Sequence, residues 1–200
     1  ASSSLAEGTI IMNNVIFDIG ANNGVDGLGY ALFNRDLNIY AFEANPELIK
    51  KILINKQLIE NFFNLKLNNY TIIDKAVSNY NGKDDFYVSE YDLCSSLLKY
   101  KFVKTEKKIT CEVLTLKNFC DEKKIDNIIH LHSDTQGSDL NVLKGLDKYN
   151  AIVHSGVIET MIEKKDINYE GASSFKDFET FLNENNFEIT KKVFNDYAHR

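Results

Sequence analysis

The stretch Val15-Ile-Phe-Asp18-Ile-Gly20-Ala-Asn-Asn-Gly24 sets the fold of this chain. A short apolar run ends in a carboxylate and meets glycine at once, the pattern of a buried strand entering a tight loop. Gly20 and Gly24 permit a sharp turn and close approach to a ligand, and a helix expected over 23–34 presents its amino terminus there. A second apolar run, Asn38-Ile-Tyr-Ala-Phe-Glu43, also ends in a carboxylate. Asn45 can cap and Pro46 can open the helix that follows. Parallel sheets bind ligands at the carboxyl ends of their strands, so Asp18 and Glu43 are expected on one rim.

Glu43 follows Gly20 at close to the ~20-residue offset at which a second-strand acid holds ribose hydroxyls. The pair therefore predicts a ligand with a ribose. A nicotinamide cofactor would favour G-x-G-x-x-G, because its pyrophosphate needs dense backbone donors at the helix start. The spacing here is Gly20-x-x-x-Gly24. Asp18 sits badly beside a pyrophosphate and well beside an α-ammonium group, which favours S-adenosylmethionine.

Further along, near-3.6 spacing of Leu48, Ile49, Ile52, Leu53, Ile59, Phe62 and Phe63 predicts one face of a long helix. Strands are expected over 70–77, 85–89, 109–114, 127–134, 151–159 and 187–194. Helices are expected over 115–123, after Ser138 as cap, and after a Ser174–Asp177 capping box. Between them, 91–108 reads as an irregular loop whose Tyr91, Tyr100 and Phe102 can stack on a sugar face. Alternating strands and helices predict an α/β fold: three layers, α/β/α, with a mainly parallel sheet. Residues 12–200 are expected to form one domain, and 1–11 a tail.

Composition narrows the partners. The 200 residues carry a formal net charge of −6 with Lys and Arg scattered, so no basic stripe is available for nucleic-acid phosphates. No apolar run approaches the ~20 residues of a membrane span. Cys94, Cys111 and Cys120 form no C-x-x-C pair, which argues against a disulfide framework or zinc site and for the reducing cytoplasm.

For chemistry, His132 lies two residues before Asp134 on one expected strand, so both side chains share a face and can form a dyad that deprotonates an acceptor. Asp134 and Glu159 end strands expected to be adjacent. Such carboxylates raise one another's pKa, bind a basic group or hold a divalent cation. Cofactor or acceptor binding by Asp134 is preferred, and no metal is expected.

These residues resemble the FkbM-type methyltransferase family. Its first motif is similar to Phe17-Asp-Ile-Gly-Ala-Asn-Asn-Gly24 and its second to Ala41-Phe-Glu-Ala-Asn-Pro46. Lys75-Ala-Val-Ser78 with Asn81-Gly82, Ser95-Ser-Leu97, Val113-Leu-Thr-Leu116 and Asp134 to Gly145 follow in the family's order. The resemblance implies a Rossmann-like methyltransferase fold and methyl transfer to an oxygen of a saccharide or related small metabolite. It implies that Asp18, Gly20, Ala21, Asn22 and Gly24 hold the methionine part, Glu43 the ribose, and that Ala76 lies near adenine. Two positions depart: His132-Ser-Asp-Thr-Gln-Gly137 stands where the family usually has Lys-Ile-Asp-Val-Glu-Gly, and Lys117 where Asp is common. A domain that binds the cofactor without turnover, and a nicotinamide oxidoreductase, stay open as alternatives.

Overall fold

The computed structural model describes residues 13–89, 94–102, 105–160 and 168–193. The tail expected over 1–11, and Tyr91, lie outside them. Strand β1 (Asn14–Ile19) is followed by helix α1 (Val25–Phe33), β2 (Asn38–Phe42), α2 (Pro46–Phe63) and β3 (Tyr70–Ile73). Next come β4 (Ala76–Val77), β5 (Gly82–Ser89), β6 (Thr105–Leu114) and α3 (Leu116–Lys123). The remaining elements are β7 (Asn127–Ser133), α4 (Asp139–Lys144), β8 (Gly156–Ile158) and α5 (Phe175–Glu184). Five strands form one parallel sheet in the order β3-β2-β1-β7-β8, and β4-β6-β5 form a second sheet.

The main sheet is covered on both faces, which gives the three layers. Phe17 and Phe42 pack with Phe119 of α3, Leu140 and Leu143 of α4 and Phe178 of α5. Ile16, Ile39 and Ala41 pack with Leu28 and Ala31 of α1 and Ile52 of α2 on the other face. The rings of Phe42 and Phe119 meet edge to face at 5.1 Å, a geometry that adds about 1 kcal/mol beyond area burial. The alternating apolar residues of β1 thus feed two cores at once.

Several sequence expectations shift. The strand expected over 70–77 is split: β3 ends at Ile73, and Ala76–Val77 join the second sheet, in parallel register with Val113 and Leu114. The Lys75–Glu112 ion pair, 2.7 Å, ties the crossing point to β6. The expected loop 91–108 overlaps β6, which starts at Thr105 because it pairs along β5 in a long antiparallel ladder. In the strand expected over 151–159, Ala151 and Ile152 are the end of a 3₁₀ turn, Asp147–Ile152, closed by the Asn150 side chain on the Asp147 carbonyl at 2.9 Å, Val153 bridges to Ile128, and β8 starts at Gly156.

Residues 187–193 form no strand: they find no pairing partner among the described residues and are mostly exposed. Helix α1 begins at Val25 rather than 23, since Asn22 and Gly24 both have positive φ, 52° and 79°. On α2 the buried stripe is narrower than expected. Leu48 and Ile52 are buried, whereas Leu53, Phe62 and Phe63 are exposed and the last buried residue is Glu60. Glu60 accepts from Lys56, Lys66 and the Leu67 N–H, at 2.8, 2.7 and 2.9 Å. Ser138 stands before α4, but its hydroxyl makes no capping bond. Asp177 reaches back to the Ser174 N–H at 2.8 Å, the expected box.

Candidate active site

Strand order reverses between β1 and β7, since β2 and β3 extend one way and β8 the other. That is the switch point at which an open parallel sheet leaves a crevice. A cleft opens there, bordered by Asp18, Gly20, Asn22, Glu43, His132 and Asp134, among others. Ala21, Asp26, Ala76 and Gln136 also line it.

Asp18 ends up beneath the loop, 1% exposed, next to His132 in the β1–β7 register. His132 Nδ1 lies 2.9 Å from Asp18 Oδ1. The expected His132–Asp134 dyad is therefore replaced by a His132–Asp18 pair, because the neighbouring strand supplies a carboxylate directly alongside the imidazole. This contact with Asp18 raises the His132 pKa against the lowering effect of burial. Asp18 Oδ2 is buried without a hydrogen-bond partner among the described residues, and faces Gly27. Any side chain at 27 would overlap that oxygen and crowd the Tyr70 ring.

The two loop glycines answer to packing. A Cβ on Gly20, at φ 76°, would overlap the Asp134 carbonyl, and one on Gly24 would press on Ile52 and Tyr70. The Asp134 N–H donates to the Ile19 carbonyl at 2.9 Å, so the loops after β1 and β7 touch along their backbones.

Glu43 is 5% exposed, and its carboxylate accepts from the Asn22 N–H and the Asn45 N–H, each at 2.8 Å. Burial pushes its pKa up to about 7, against the pull of those N–H groups and with a smaller upward push from Asp18. Asn45 in turn caps α2 by accepting from the Glu47 N–H at 3.0 Å. The short segment 43–47 thus builds both a helix start and a fixed rim carboxylate.

On the other side, Gln136 Nε2 donates to Asp134 Oδ1 at 2.5 Å and to Glu159 Oε2 at 2.8 Å. Asp134 and Glu159 are brought together as expected from adjacent strand ends. Loss of water at the rim, then the charge and contact of Asp134, push the Glu159 carboxyl upward. Behind them Asp139, 1% exposed, accepts from the Ser133 hydroxyl at 2.6 Å and the Thr135 N–H at 2.9 Å. Burial pushes Asp139 up to about 6. Tyr100 packs edge-on against Tyr169, centroids 4.8 Å apart, while Phe102 is 75% exposed.

Sequence reasoning missed Gly27, Tyr70 and the bridging role of Gln136. A glycine inside a helical pattern was the available signal for the first; the other two depend on partners distant in sequence. Among the described residues, no group of three or more His, Cys, Asp or Glu is placed to hold a metal ion. Nor is any described helix long and apolar enough to cross a membrane.

Fold and site together define a parallel α/β protein with an acid-lined cleft at its switch point, where open parallel sheets bind ligands. More narrowly, the chain belongs to the FkbM methyltransferase family, whose methyltransferase FkbM domain matches residues 18–189. It is similar to 2-O-methyltransferase NoeI of Sinorhizobium fredii (strain NBRC 101917 / NGR234), 26% identical over 145 residues. That match covers 66% of this chain and 56% of the relative, so the chain spans little more than half of that protein's length. A solved methyltransferase FkbM from Methylobacillus flagellatus KT aligns with 74% of this chain and 33% of its own, at 12% identity and a TM-score of 0.48.

Proposed function

We propose that the chain is an S-adenosylmethionine-dependent O-methyltransferase acting on a hydroxyl of a saccharide or related small metabolite. The observation that carries the cofactor is the charge of the cleft wall. Asp18, Asp26, Glu43 and Asp134 border it, while the cations beside them are engaged: His132 with Asp18 and Lys75 with Glu112. Such a wall suits a cationic ligand and repels a pyrophosphate. The oxygen acceptors of Glu43 fit a pair of ribose hydroxyls.

Glu43 is the residue to hold the ribose, the 20–24 loop and Asp134 the methionine end, and Ala76 the edge of the base. Asp18 acts from beneath the loop, through its charge and through His132. When bound, S-adenosylmethionine supplies a methyl group activated by its positive sulfur. The protein aligns the acceptor oxygen and removes one proton. Asp18 biases His132 toward its charged form, so His132 orients and balances charge. Proton removal falls to the Asp134–Glu159 pair, whose upward-shifted member suits a base working near neutral pH. The three cysteines are free, Cys111 and Cys120 buried, in keeping with a cytoplasmic setting.

Calorimetric titration with S-adenosylhomocysteine and with NAD tests the cofactor. Binding of the first alone is expected; binding of NAD alone would overturn the proposal. Labelled S-adenosylmethionine with a panel of sugar acceptors then tests turnover. A cofactor that binds while no hydroxylated acceptor is labelled would favour a binding domain without catalysis.

A further inference from the structure

The structure assigns Gln136 a positioning role: its side-chain amide clamps Asp134, on the acceptor flank of the cleft, to Glu159 beside it, and Tyr169 fixes the amide's orientation. Naming that flank for the acceptor rests on the methyl-transfer reading above; the clamp itself does not.

A glutamine amide has one accepting oxygen and two N–H donors. The Tyr169 hydroxyl donates to Gln136 Oε1 at 2.7 Å. That bond turns Nε2 toward the two carboxylates, which only accept when ionised, and gives each of them one N–H, at 2.5 and 2.8 Å. The oxygen and nitrogen of the amide are thus assigned by chemistry as well as by distance. Tyr169 cannot drift, because it is 1% exposed and its ring meets Tyr100.

The backbone is committed to the same purpose. Gln136 and Gly137 have φ of 56° and 96°, a left-handed pair that a non-glycine residue rarely enters. Ser96, 1% exposed, holds it there with its hydroxyl 2.9 Å from the Thr135 carbonyl and 3.0 Å from that of Gln136. Neighbouring carboxylates repel unless a donor or a proton lies between them. The groups facing the pair are His132 from β7, Asp139 from α4, and Tyr169 and Cys94 from the flanking loops. Desolvation and Asp134 push Glu159 upward, as a clamped pair requires.

The test is a titration of side-chain carboxyl ¹³C shifts in the full chain, read for Glu159. In the wild type Glu159 should titrate above the ordinary glutamate value of about 4.3. Gln136→Leu removes both donors at similar volume. The carboxyls should then part, and Glu159, already on the exposed rim, should lose the upward push of Asp134, its step falling by about one pH unit or more. Tyr169→Phe frees only the amide's orientation and should move the same step in the same direction by less, which keeps the test alive if Gln136→Leu does not fold.

Titration of Glu159 at the ordinary glutamate value in the wild type would overturn the clamp. So would a Glu159 step unmoved by the folded variants. S-adenosylhomocysteine titration of the same wild-type sample separates the two claims: no binding would sink the methyl-transfer reading, while the carboxyl curves would still decide on Gln136.

Discussion

At the β1–β2 rim, Glu43 is held by the main-chain N–H groups of Asn22 and Asn45. At the β7–β8 rim, Asp134 and Glu159 are held by a side chain, Gln136, itself held by the side chain of Tyr169. Backbone donors come with the fold and persist through most substitutions nearby. Side-chain donors are lost with a single substitution. The first rim is therefore expected to tolerate substitutions nearby, and the second to respond to a single change at Gln136 or Tyr169.

The two rims meet at Gly20, so Gly20→Ala should be the most damaging change. Its Cβ would overlap the Asp134 carbonyl, at a backbone angle that already disfavours alanine. A loss of about 3 kcal/mol or more is expected by thermal or chemical denaturation, up to failure to fold. Gly29→Ala is the control, since nothing lies within 4 Å of that Cβ. It should stabilise α1 by about 0.5–1 kcal/mol. Equal effects at both positions would show that the rims do not touch as described.

Glu43→Gln tests the backbone-held rim. A glutamine offers one acceptor where two N–H donors wait, so S-adenosylhomocysteine affinity should fall about tenfold or more in a titration. The pH dependence carries a definite sign. Glu43 and Asp139 are pushed up to about 7 and about 6 by burial, above their unfolded values near 4. Their contribution to stability is full below about pH 4 and is lost as pH rises through their folded pKa values. Wild-type stability should therefore decline between about pH 4 and 7, and Glu43→Gln should flatten the upper part of that decline. Identical melting-temperature profiles for the two proteins would remove Glu43 as the source.

A smaller effect is expected at the seam between rims. Asp18→Asn should lower the His132 pKa, read from imidazole ¹⁵N shifts, because burial then acts on the ring without its ionised partner. In the wild type that pair contributes stability below about pH 6.5 that is lost as pH rises through the raised His132 value. An unmoved His132 titration would return it to the list of free bases. Smallest is Lys117→Ala, expected to change stability by less than about 0.5 kcal/mol in denaturant melts. Asp121 keeps the Tyr149 hydroxyl at 2.7 Å and Lys148 at 3.0 Å when Lys117 is gone. A loss above about 1 kcal/mol would show that this departure from the family pattern is structural.

The sequence was legible where neighbours in the chain are neighbours in space. The 15–24 strand and loop, the Asn45–Pro46 helix start and the Ser174–Asp177 box all rest on local hydrogen bonds and fixed dihedrals. The strand expected over 187–194 was not legible in the same way, since a strand's local composition does not name the strand it must pair with. The split at Asp74–Lys75 was likewise decided by β6, whose pairing residues Val113 and Leu114 lie far along the chain from Ala76 and Val77.

By itself the sequence determined the alternation of strands and helices, the acid at the end of each of the first two strands, and membership of the FkbM pattern. The tertiary structure alone decided that His132 bonds to Asp18, that Gly20 is demanded by the Asp134 carbonyl, and that Gln136 bridges two carboxylates. The physical reason is register. Which side chains meet across parallel strands depends on pairing offsets and on loops fixed by distant residues such as Ser96 and Tyr169, and none of these leaves a periodic trace in the chain.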